Sequence, residues 1–273
     1  MMKIVSLFSY DFILRALIAG SLVALCSALL GVILVLKRYS MIGDGLSHVG
    51  FGAIAIAMSL NVAPLVISLP VSLIAAFFLL RISSADSGIK GDAAIALIST
   101  SALAIGILVT SVTSGLNTDV TAYLFGSILA LSSLDVWLSI LLSIIVLTLF
   151  IWCYQRIFAV TFDETFATAS GISSARYNRI LALLTALTIV VGMRLMGAMM
   201  ISSLIIFPVL TSMRVFKSFC SVTISSAVLS VACFFIGLVA SFLLSAPTGA
   251  SIVAANLVMF LIFALLGKIC KLS

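Results

Sequence analysis

Long runs of apolar residues, separated by short polar segments, make up most of this chain. A helix that crosses a bilayer needs about 20 mostly apolar residues, and nine stretches meet or approach that length. They cover residues 14–36, 42–60, 62–80, 93–113, 134–154, 180–196, 197–213, 219–244 and 250–267. The pattern therefore predicts an all-α polytopic membrane protein of about nine spans, or eight if 180–213, which only Arg194 interrupts, is a single span.

A shorter apolar piece at 120–131 is too short to cross a bilayer as a helix. We interpret it as a re-entrant or surface helix between the fourth and fifth predicted spans. The longest polar loop runs only from about 155 to 179, so the sequence leaves no room for a large soluble domain. Residues 1–273 are expected to form a single transmembrane domain.

The basic residues indicate the orientation, because cytoplasmic loops of membrane proteins carry an excess of Lys and Arg. With nine spans and the N-terminus outside, eleven of the 14 basic residues fall on the cytoplasmic side and three outside. The cytoplasmic set is Lys37, Arg38, Arg81, Lys90, Arg156, Arg176, Arg179, Arg214, Lys217, Lys268 and Lys271, and the outer set is Lys3, Arg15 and Arg194. This asymmetry predicts an outside N-terminus and a cytoplasmic C-terminus.

Composition excludes several classes of function. Hydrophobic residues make up 64% of the chain and charged residues 8%, whereas a soluble domain has about 25% charged residues. So few charges exclude a soluble enzyme, a nucleic-acid-binding protein and a disordered chain. The sequence has no G-x-x-x-x-G-K-[ST] loop and no C-x-x-C pair, so we expect ATP hydrolysis, if it is needed, in a separate chain.

The segment 41-MIGDGLSHVGFG-52 carries an acidic side chain and the only histidine of the chain. Asp44 and His48 are four residues apart and therefore share one face of a helix. If the helix rises continuously from Lys37, they lie about 10 Å and 15 Å into the membrane, where ionisable groups normally face a protein interior or an aqueous path. Carboxylate and imidazole are suitable ligands for Mn²⁺, Zn²⁺ or Fe²⁺. A structural Asp–His hydrogen bond and a metal-free proton relay are the alternatives.

The longest polar loop contains the only adjacent acidic pair of the chain, Asp163-Glu164. The run from Phe162 to Gly171 is typical of a short amphipathic helix, because glycine often ends a helix in the left-handed conformation. On the predicted topology this helix lies in the cytoplasm. It is either a docking element for another protein or a plain connector, since loops beyond about 12–15 residues are usually functional or disordered.

Four segments together resemble the membrane permeases of ABC transporters for manganese, zinc and iron uptake, the class served by cluster-9 binding proteins. Residues 41–48 are similar to the family's "GDALSH" segment, with Gly45 in place of its usual Ala. Residues 119–129 are similar to its "YLFGSIL" stretch, 162–171 to "FDPEFA…A.G" and 194–208 to "RVVG…IP". The pieces occur in the family's order, which makes the combination specific.

The resemblance implies a helical fold like that of the vitamin-B12 and siderophore permeases, with two permease chains, identical or related, side by side. It implies that Asp44 and His48 line the translocation path and meet the metal ion. It also implies a coupling helix that docks on a cytoplasmic P-loop ATPase. The residues assigned to that helix are Phe162, Asp163, Glu164 and Gly171.

The same resemblance implies an extracytoplasmic metal-binding protein that delivers the ion, a place in the bacterial inner membrane, and no permanently bound cofactor. The chain is then a transporter permease and not itself an enzyme. Two other functions would use Asp44 and His48 differently: a proton-coupled secondary transporter, or a membrane-embedded enzyme with the pair as acid and base. The sequence does not select among Mn, Zn and Fe, because selectivity comes from site geometry and metal supply.

Overall fold

The computed structural model describes residues 11–82, 91–113 and 133–272, and these ranges contain helices joined by short turns. The first four helices are α1 (Asp11–Leu36), α2 (Ile42–Ser59), α3 (Pro64–Ile82) and α4 (Gly91–Val112). The others are α5 (Ser133–Trp152), α6 (Tyr154–Phe162), α7 (Glu164–Ala169), α8 (Ser174–Met196), α9 (Ala198–Ser212), α10 (Phe219–Leu244) and α11 (Thr248–Leu272). The predicted all-α class is confirmed.

Each of the nine predicted spans coincides with one of these helices. Seven of the described helices are long and apolar enough to cross a membrane, and two shorter apolar stretches lie in α3 (Pro64–Leu79) and α9 (Met200–Ser212). The polytopic membrane architecture is therefore confirmed, while the count of nine and the orientation stay predictions. The short helix predicted at 120–131 lies outside the described residues.

The structure divides the 180–213 stretch at Gly197, as predicted. Gly197 has φ 91° and ψ 154°, a backbone region that is essentially restricted to glycine. The start of α8 differs from the prediction, because the helix begins at Ser174, six residues before 180. Polar residues continue this helix beyond its apolar run, since backbone hydrogen bonding sets a helix end whereas hydropathy marks only the buried part.

Helices α1 and α2 form the centre of the bundle, and most of their length is buried. Helix α1 packs against α5, α8, α9 and α10, and α2 packs against α3, α4 and α9. Helices α4 and α11 are mostly exposed. Because lipid tails are as apolar as the core, van der Waals packing and small residues hold such helices together, and exposed spans face lipid or another chain.

Two glycines let α2 approach α4 closely. A Cβ atom at Gly52 would lie 2.6 Å from the carbonyl oxygen of Ala102, so the two backbones are in direct contact there. A Cβ atom at Gly45 would lie 2.9 Å from Ile95 Cγ2. The side chain of Ile95 thus gives a local reason for glycine at the position where the resembled family usually has alanine.

Candidate functional site

Asp44 and His48 lie on one face of α2, as their spacing predicts. Asp44 is in the first turn of the helix, and His48 follows one turn later. Asp44 Oδ2 is 3.6 Å from His48 Nε2, which is longer than a normal hydrogen bond. The structure therefore brings the two predicted ligands together without joining them by a short hydrogen bond.

The side chain of His48 is largely buried, and that of Asp44 is partly exposed. The side chain of His48 is 13% exposed and that of Asp44 is 37% exposed. His48 Nδ1 is buried and has no hydrogen-bond partner among the residues that the structure describes. Since a neutral imidazole has one N–H and one lone pair, the site offers a carboxylate oxygen and an imidazole nitrogen. Both are ligand types that bind Mn²⁺ and Zn²⁺.

Two hydroxyl groups that the sequence did not single out adjoin the pair. Ser202 of α9 donates a hydrogen bond to Asp44 Oδ1 across 3.4 Å, and its Oγ lies 3.4 Å from the Oγ of Ser47. Ser47 in turn donates to the backbone carbonyl of Asp44 at 2.8 Å. The available signal was the polar pair Ser202-Ser203 in an apolar run, but serine is too frequent in this chain to stand out.

A groove between α9 and α11 begins beside this hydroxyl group. Its cavity volume is about 610 Å³, and apolar side chains of both helices line it together with Ser202 and Ser203. Ser202 thus faces both the groove and Asp44. Within residues 11–82, 91–113 and 133–272, no cluster of three His, Cys, Asp or Glu side chains forms a more complete metal site.

The segment before α2 changes the expected depth of the pair. Residues 37–41 form turns, and Arg38 has φ 62°. The predicted depths of about 10 Å for Asp44 and 15 Å for His48 assumed a continuous helical rise from Lys37. This premise is wrong because the turns interrupt the rise. Asp44 lies two residues, or about 3 Å, beyond the start of α2 at Ile42.

The helix predicted at 162–171 is divided in the structure. Helix α6 ends at Phe162 and α7 covers Glu164–Ala169, so α7 begins two residues after the predicted start at about 162. Asp163 causes the division because its backbone is extended, with φ −147°. Its Oδ1 accepts a hydrogen bond of 2.8 Å from the backbone N–H of Phe166, which makes it the N-cap of α7.

Gly171 closes the C-terminal end of this segment, as predicted. It has φ 83°, and its N–H donates to the carbonyl of Thr168 while the N–H of Ile172 donates to that of Ala167. These two bonds form a Schellman motif, for which glycine is the usual residue. A Cβ atom at Gly171 would meet nothing within 4 Å, so backbone conformation and not space favours glycine.

Glu164 connects α7 to two other elements. Its carboxylate lies 3.6 Å from Lys37 Nζ and accepts a hydrogen bond of 2.9 Å from Asn178 Nδ2. Lys37 Nζ also donates to Asn178 Oδ1 at 2.6 Å. Burial lowers the pKa of Lys37, and the carboxylate of Glu164 opposes that change. The three side chains tie α7 to α8 and to the turn between α1 and α2.

The surface of this segment is aromatic as well as acidic, because Asp163 and Glu164 are exposed beside the phenylalanines. Phe162 and Phe166 are 58% and 65% exposed. Phe158 and Phe162 pack on Phe219 of α10, with ring centroids 5.3 Å and 6.0 Å from that of Phe219. The two neighbouring acidic side chains are occupied by contacts within the chain. Sequence reasoning missed Phe166, although its spacing of four from Phe162 was a signal.

Comparison with known proteins gives a family and close structural similarity. The model of the family described as "ABC 3 transport family" matches residues 9–267. "Manganese import system permease protein ScaB" of Streptococcus gordonii is 29% identical over 94% of this chain and 91% of its own. "High-affinity zinc uptake system membrane protein ZnuB" of Haemophilus influenzae is 28% identical over 93% of this chain and 97% of its own. The solved structure "PsaBC from Streptococcus pneumoniae in complex with Fab" has a TM-score of 0.84 at 27% identity, and the match covers 96% of this chain and 94% of that one.

Proposed function

This chain belongs to the ABC 3 transport family, and we propose that its Asp44 and His48 contact the metal ion that it carries across the membrane. The chain is a multi-pass membrane permease of a metal-ion ABC importer. The names of two relatives give manganese and zinc as the transported ions. Iron is a third candidate, because Fe²⁺ accepts the same ligand types.

The observation that carries the proposal is the 3.6 Å separation of Asp44 Oδ2 and His48 Nε2. Two ligand atoms that are each about 2.1 Å from one tetrahedral ion lie roughly 3.4 Å apart. One ion therefore fits between the two side chains after a small movement, and the hydroxyl of Ser202, backbone carbonyls and water would complete its coordination. An incomplete protein ligand set suits a transported ion, which must leave the site as readily as it enters.

ATP hydrolysis takes place in a partner chain in this proposal. The surface that docks on that ATPase is formed by α7 with its exposed Phe166 and by the exposed Phe162 at the end of α6. Movement of α7 passes through Glu164 to Lys37, which lies in the turn that leads into α2. Because Asp44 is in the first turn of α2, this route ends at the metal site. ATP binding and hydrolysis then shift the helices between two states that open to opposite sides of the membrane.

A second permease chain and an extracytoplasmic metal-binding protein complete the proposed importer. Helix α11 is mostly exposed, and Ser202, whose hydroxyl donates to Asp44, lines the groove beside it. We place the second permease chain, identical or related, on this side, so that the two chains enclose a path past their Asp–His pairs. The binding protein releases the ion into the outer mouth of that path.

Substitution of Asp44 by Asn or His48 by Gln tests the metal contact. Asp44→Asn removes the negative charge and His48→Gln removes the imidazole nitrogens, while both retain polar side chains of similar size. We expect uptake of radioactive Mn²⁺ or Zn²⁺ by vesicles containing the complete importer to fall by more than about tenfold in each variant. Uptake is measured with ATP inside the vesicles and with metal-loaded binding protein outside.

Thr188→Val provides a matched control within a span. The hydroxyl of Thr188 is buried and has no hydrogen-bond partner among the described residues, so its removal should leave uptake unchanged. Normal uptake by both site variants would refute the metal contact. Uptake that needs a proton gradient and continues without the ATPase would instead favour a secondary transporter with the pair as a proton relay.

A further inference from the structure

A pocket at the end of the bundle where basic residues concentrate lies outside the proposed transport path. It forms where α5 meets α6 and where the chain enters α8, and its cavity volume is about 420 Å³. Arg156, Arg176 and Tyr177 supply its main polar groups, and the indole of Trp152 forms part of its apolar wall. A second, adjoining pocket shares Trp152 and Arg156.

The two arginines of this pocket have no carboxylate partner within the described part of the chain. Arg156 Nη1 donates to the hydroxyl of Tyr177 at 3.0 Å, which orients the guanidinium without neutralising it. The nearest acidic residues along the chain are already engaged, Asp163 as the cap of α7 and Glu164 in its ion pair. The N-terminus of α8 adds the positive end of a helix dipole. The pocket is therefore suited to an anion from outside the chain.

The opposite wall of the pocket belongs to the membrane-facing surface. Leu149 and Trp152 lie in the last turn of α5, which is a candidate membrane span. Trp152 and its neighbour Ile151 are 79% and 73% exposed, and Ile180 lines the pocket from the second turn of α8. Tryptophan at the end of a span sits at the level of the lipid headgroups. The pocket thus joins a cationic part to a wall that faces acyl chains.

We propose that this pocket binds an anionic phospholipid of the cytoplasmic leaflet, with its phosphate between Arg156 and Arg176 and its acyl chains along Leu149 and Ile180. The planar guanidinium group matches phosphate oxygens in pairs, and basic pockets between spans on the cytoplasmic side are typical sites for anionic headgroups. An acidic segment of a soluble protein would satisfy the charge but would leave the lipid-facing wall uncovered.

The same pocket connects lipid binding to α7, the proposed docking helix. Gly171 and Ile172, which link α7 to α8, also line the pocket. A bound phospholipid would therefore hold the end of α7 in place from the membrane side. The inference depends on the position of the chain in the membrane and not on the metal contact, so the two can fail independently.

Trp152 provides a direct reporter for this site. The chain has two tryptophans, so Trp137→Phe leaves Trp152 as the only one. In phosphatidylcholine vesicles that contain a minor fraction of brominated lipid, brominated phosphatidylglycerol should quench Trp152 more strongly than brominated phosphatidylcholine at the same fraction. In the same background, Arg156→Gln combined with Arg176→Gln should abolish this preference.

Arg179→Gln is the matched charge control, because Arg179 lies on α8 close to Arg176 but does not line the pocket. It should keep the preference for phosphatidylglycerol. If the double arginine variant folds poorly, the Trp137→Phe chain alone remains informative. Excess unlabelled phosphatidylglycerol should then relieve the quenching, and unlabelled phosphatidylcholine should not.

Several outcomes would overturn the proposal. Equal quenching by the two brominated lipids would show that no anionic lipid is selected, and loss of the preference in Arg179→Gln would show that only total charge matters. Relief of quenching by inorganic phosphate would assign the pocket to a free anion. If the double arginine variant keeps its lipid preference but no longer retains the ATPase, the pocket is a protein contact.

Discussion

At the residue scale, Asp44 takes its chemical environment from two helices. The carboxylate belongs to α2, but the hydroxyl group that donates to its Oδ1 comes from Ser202 of α9. A contact of this kind contributes about 0.5–1.5 kcal/mol. The hydrogen bond is therefore strong enough to orient the carboxylate and weak enough for a metal ion to displace it. Ser202 is in this sense a positioning residue, and its own oxygen is a candidate ligand.

Ser202→Ala should weaken metal recognition while transport continues. Loss of one weak hydrogen bond predicts that KM for the metal-loaded binding protein stays the same, while the affinity of the permease for Mn²⁺ falls roughly two- to tenfold. The affinity is measured by titration of Mn²⁺ against the purified permease.

Ser203→Ala is the control for this measurement, because its hydroxyl donates to the carbonyl of Met200 within the same helix at 2.7 Å. An equal loss of affinity in the Ser202 and Ser203 variants would indicate damage to α9. Unchanged affinity in Ser202→Ala would remove this residue from the site.

At the element scale, α7 connects the predicted cytoplasmic surface to the centre of the bundle. It has only six residues, so its position depends on its cap, its C-terminal glycine and the contacts of Glu164 with Lys37 and Asn178. Lys37 directly follows α1 and precedes α2, which are the two most buried of the candidate spans, and α2 carries Asp44 and His48. We therefore expect a displacement of α7 to move the turn between α1 and α2.

Lys37→Met should separate ATPase binding from transport. We expect the ATPase to stay attached through the exposed aromatic surface of α7, while metal uptake per ATP hydrolysed falls at least about fivefold, because the coupling route loses its ion pair.

Phe166→Ala should have the opposite pattern, with a reduced amount of ATPase in the purified complex. Co-purification and an uptake assay with parallel phosphate release measure the two effects.

Lys217→Met is the control for the lysine substitution, since Lys217 is exposed and has no carboxylate partner among the described residues. It should change neither ATPase binding nor coupling. Full coupling in Lys37→Met would exclude the ion pair as the route from α7 to α2.

At the scale of the whole molecule, burial is unevenly distributed among the spans. Helices α1 and α2 are largely enclosed, whereas α4 and α11 leave most of their length exposed. An exposed span can face lipid, but only α11 borders the groove that reaches Ser202. We therefore expect α11 to face a second permease chain and α4 to face lipid.

Cysteine crosslinking distinguishes the two exposed helices. In a chain without its native cysteines, Ala254→Cys on the groove side of α11 should form a covalent dimer when membranes are treated with a short bifunctional maleimide. Ala104→Cys, at an exposed position on α4, should remain monomeric under the same conditions. Gel electrophoresis measures the fraction of covalent dimer. Crosslinking through Ala104→Cys alone would place the interface on α4 and refute the assignment to α11.

Features that depend on neighbours along the chain were predictable. Hydropathy predicted the spans, and a spacing of four predicted that Asp44 and His48 share a face. The interruption by Arg194 predicted the division of the 180–213 stretch, and glycine chemistry predicted the closure at Gly171. The start of α7 lies two residues after the predicted one because Asp163 is as acceptable inside a polar helix as at its N-cap, and only the backbone conformation decides between the two.

The sequence by itself determined that this chain crosses a membrane, that Asp44 and His48 share one helix face and that Gly171 closes the segment after α7. Hydropathy, helical periodicity and backbone preference, which decide these features, act over a few residues. Only the tertiary structure decided that Ser202 reaches Asp44 across 158 positions and that Lys37 reaches Asn178 across 141. Such contacts join residues whose spacing carries no periodic signal, so they arise from the packing of α1, α2, α8 and α9 against one another.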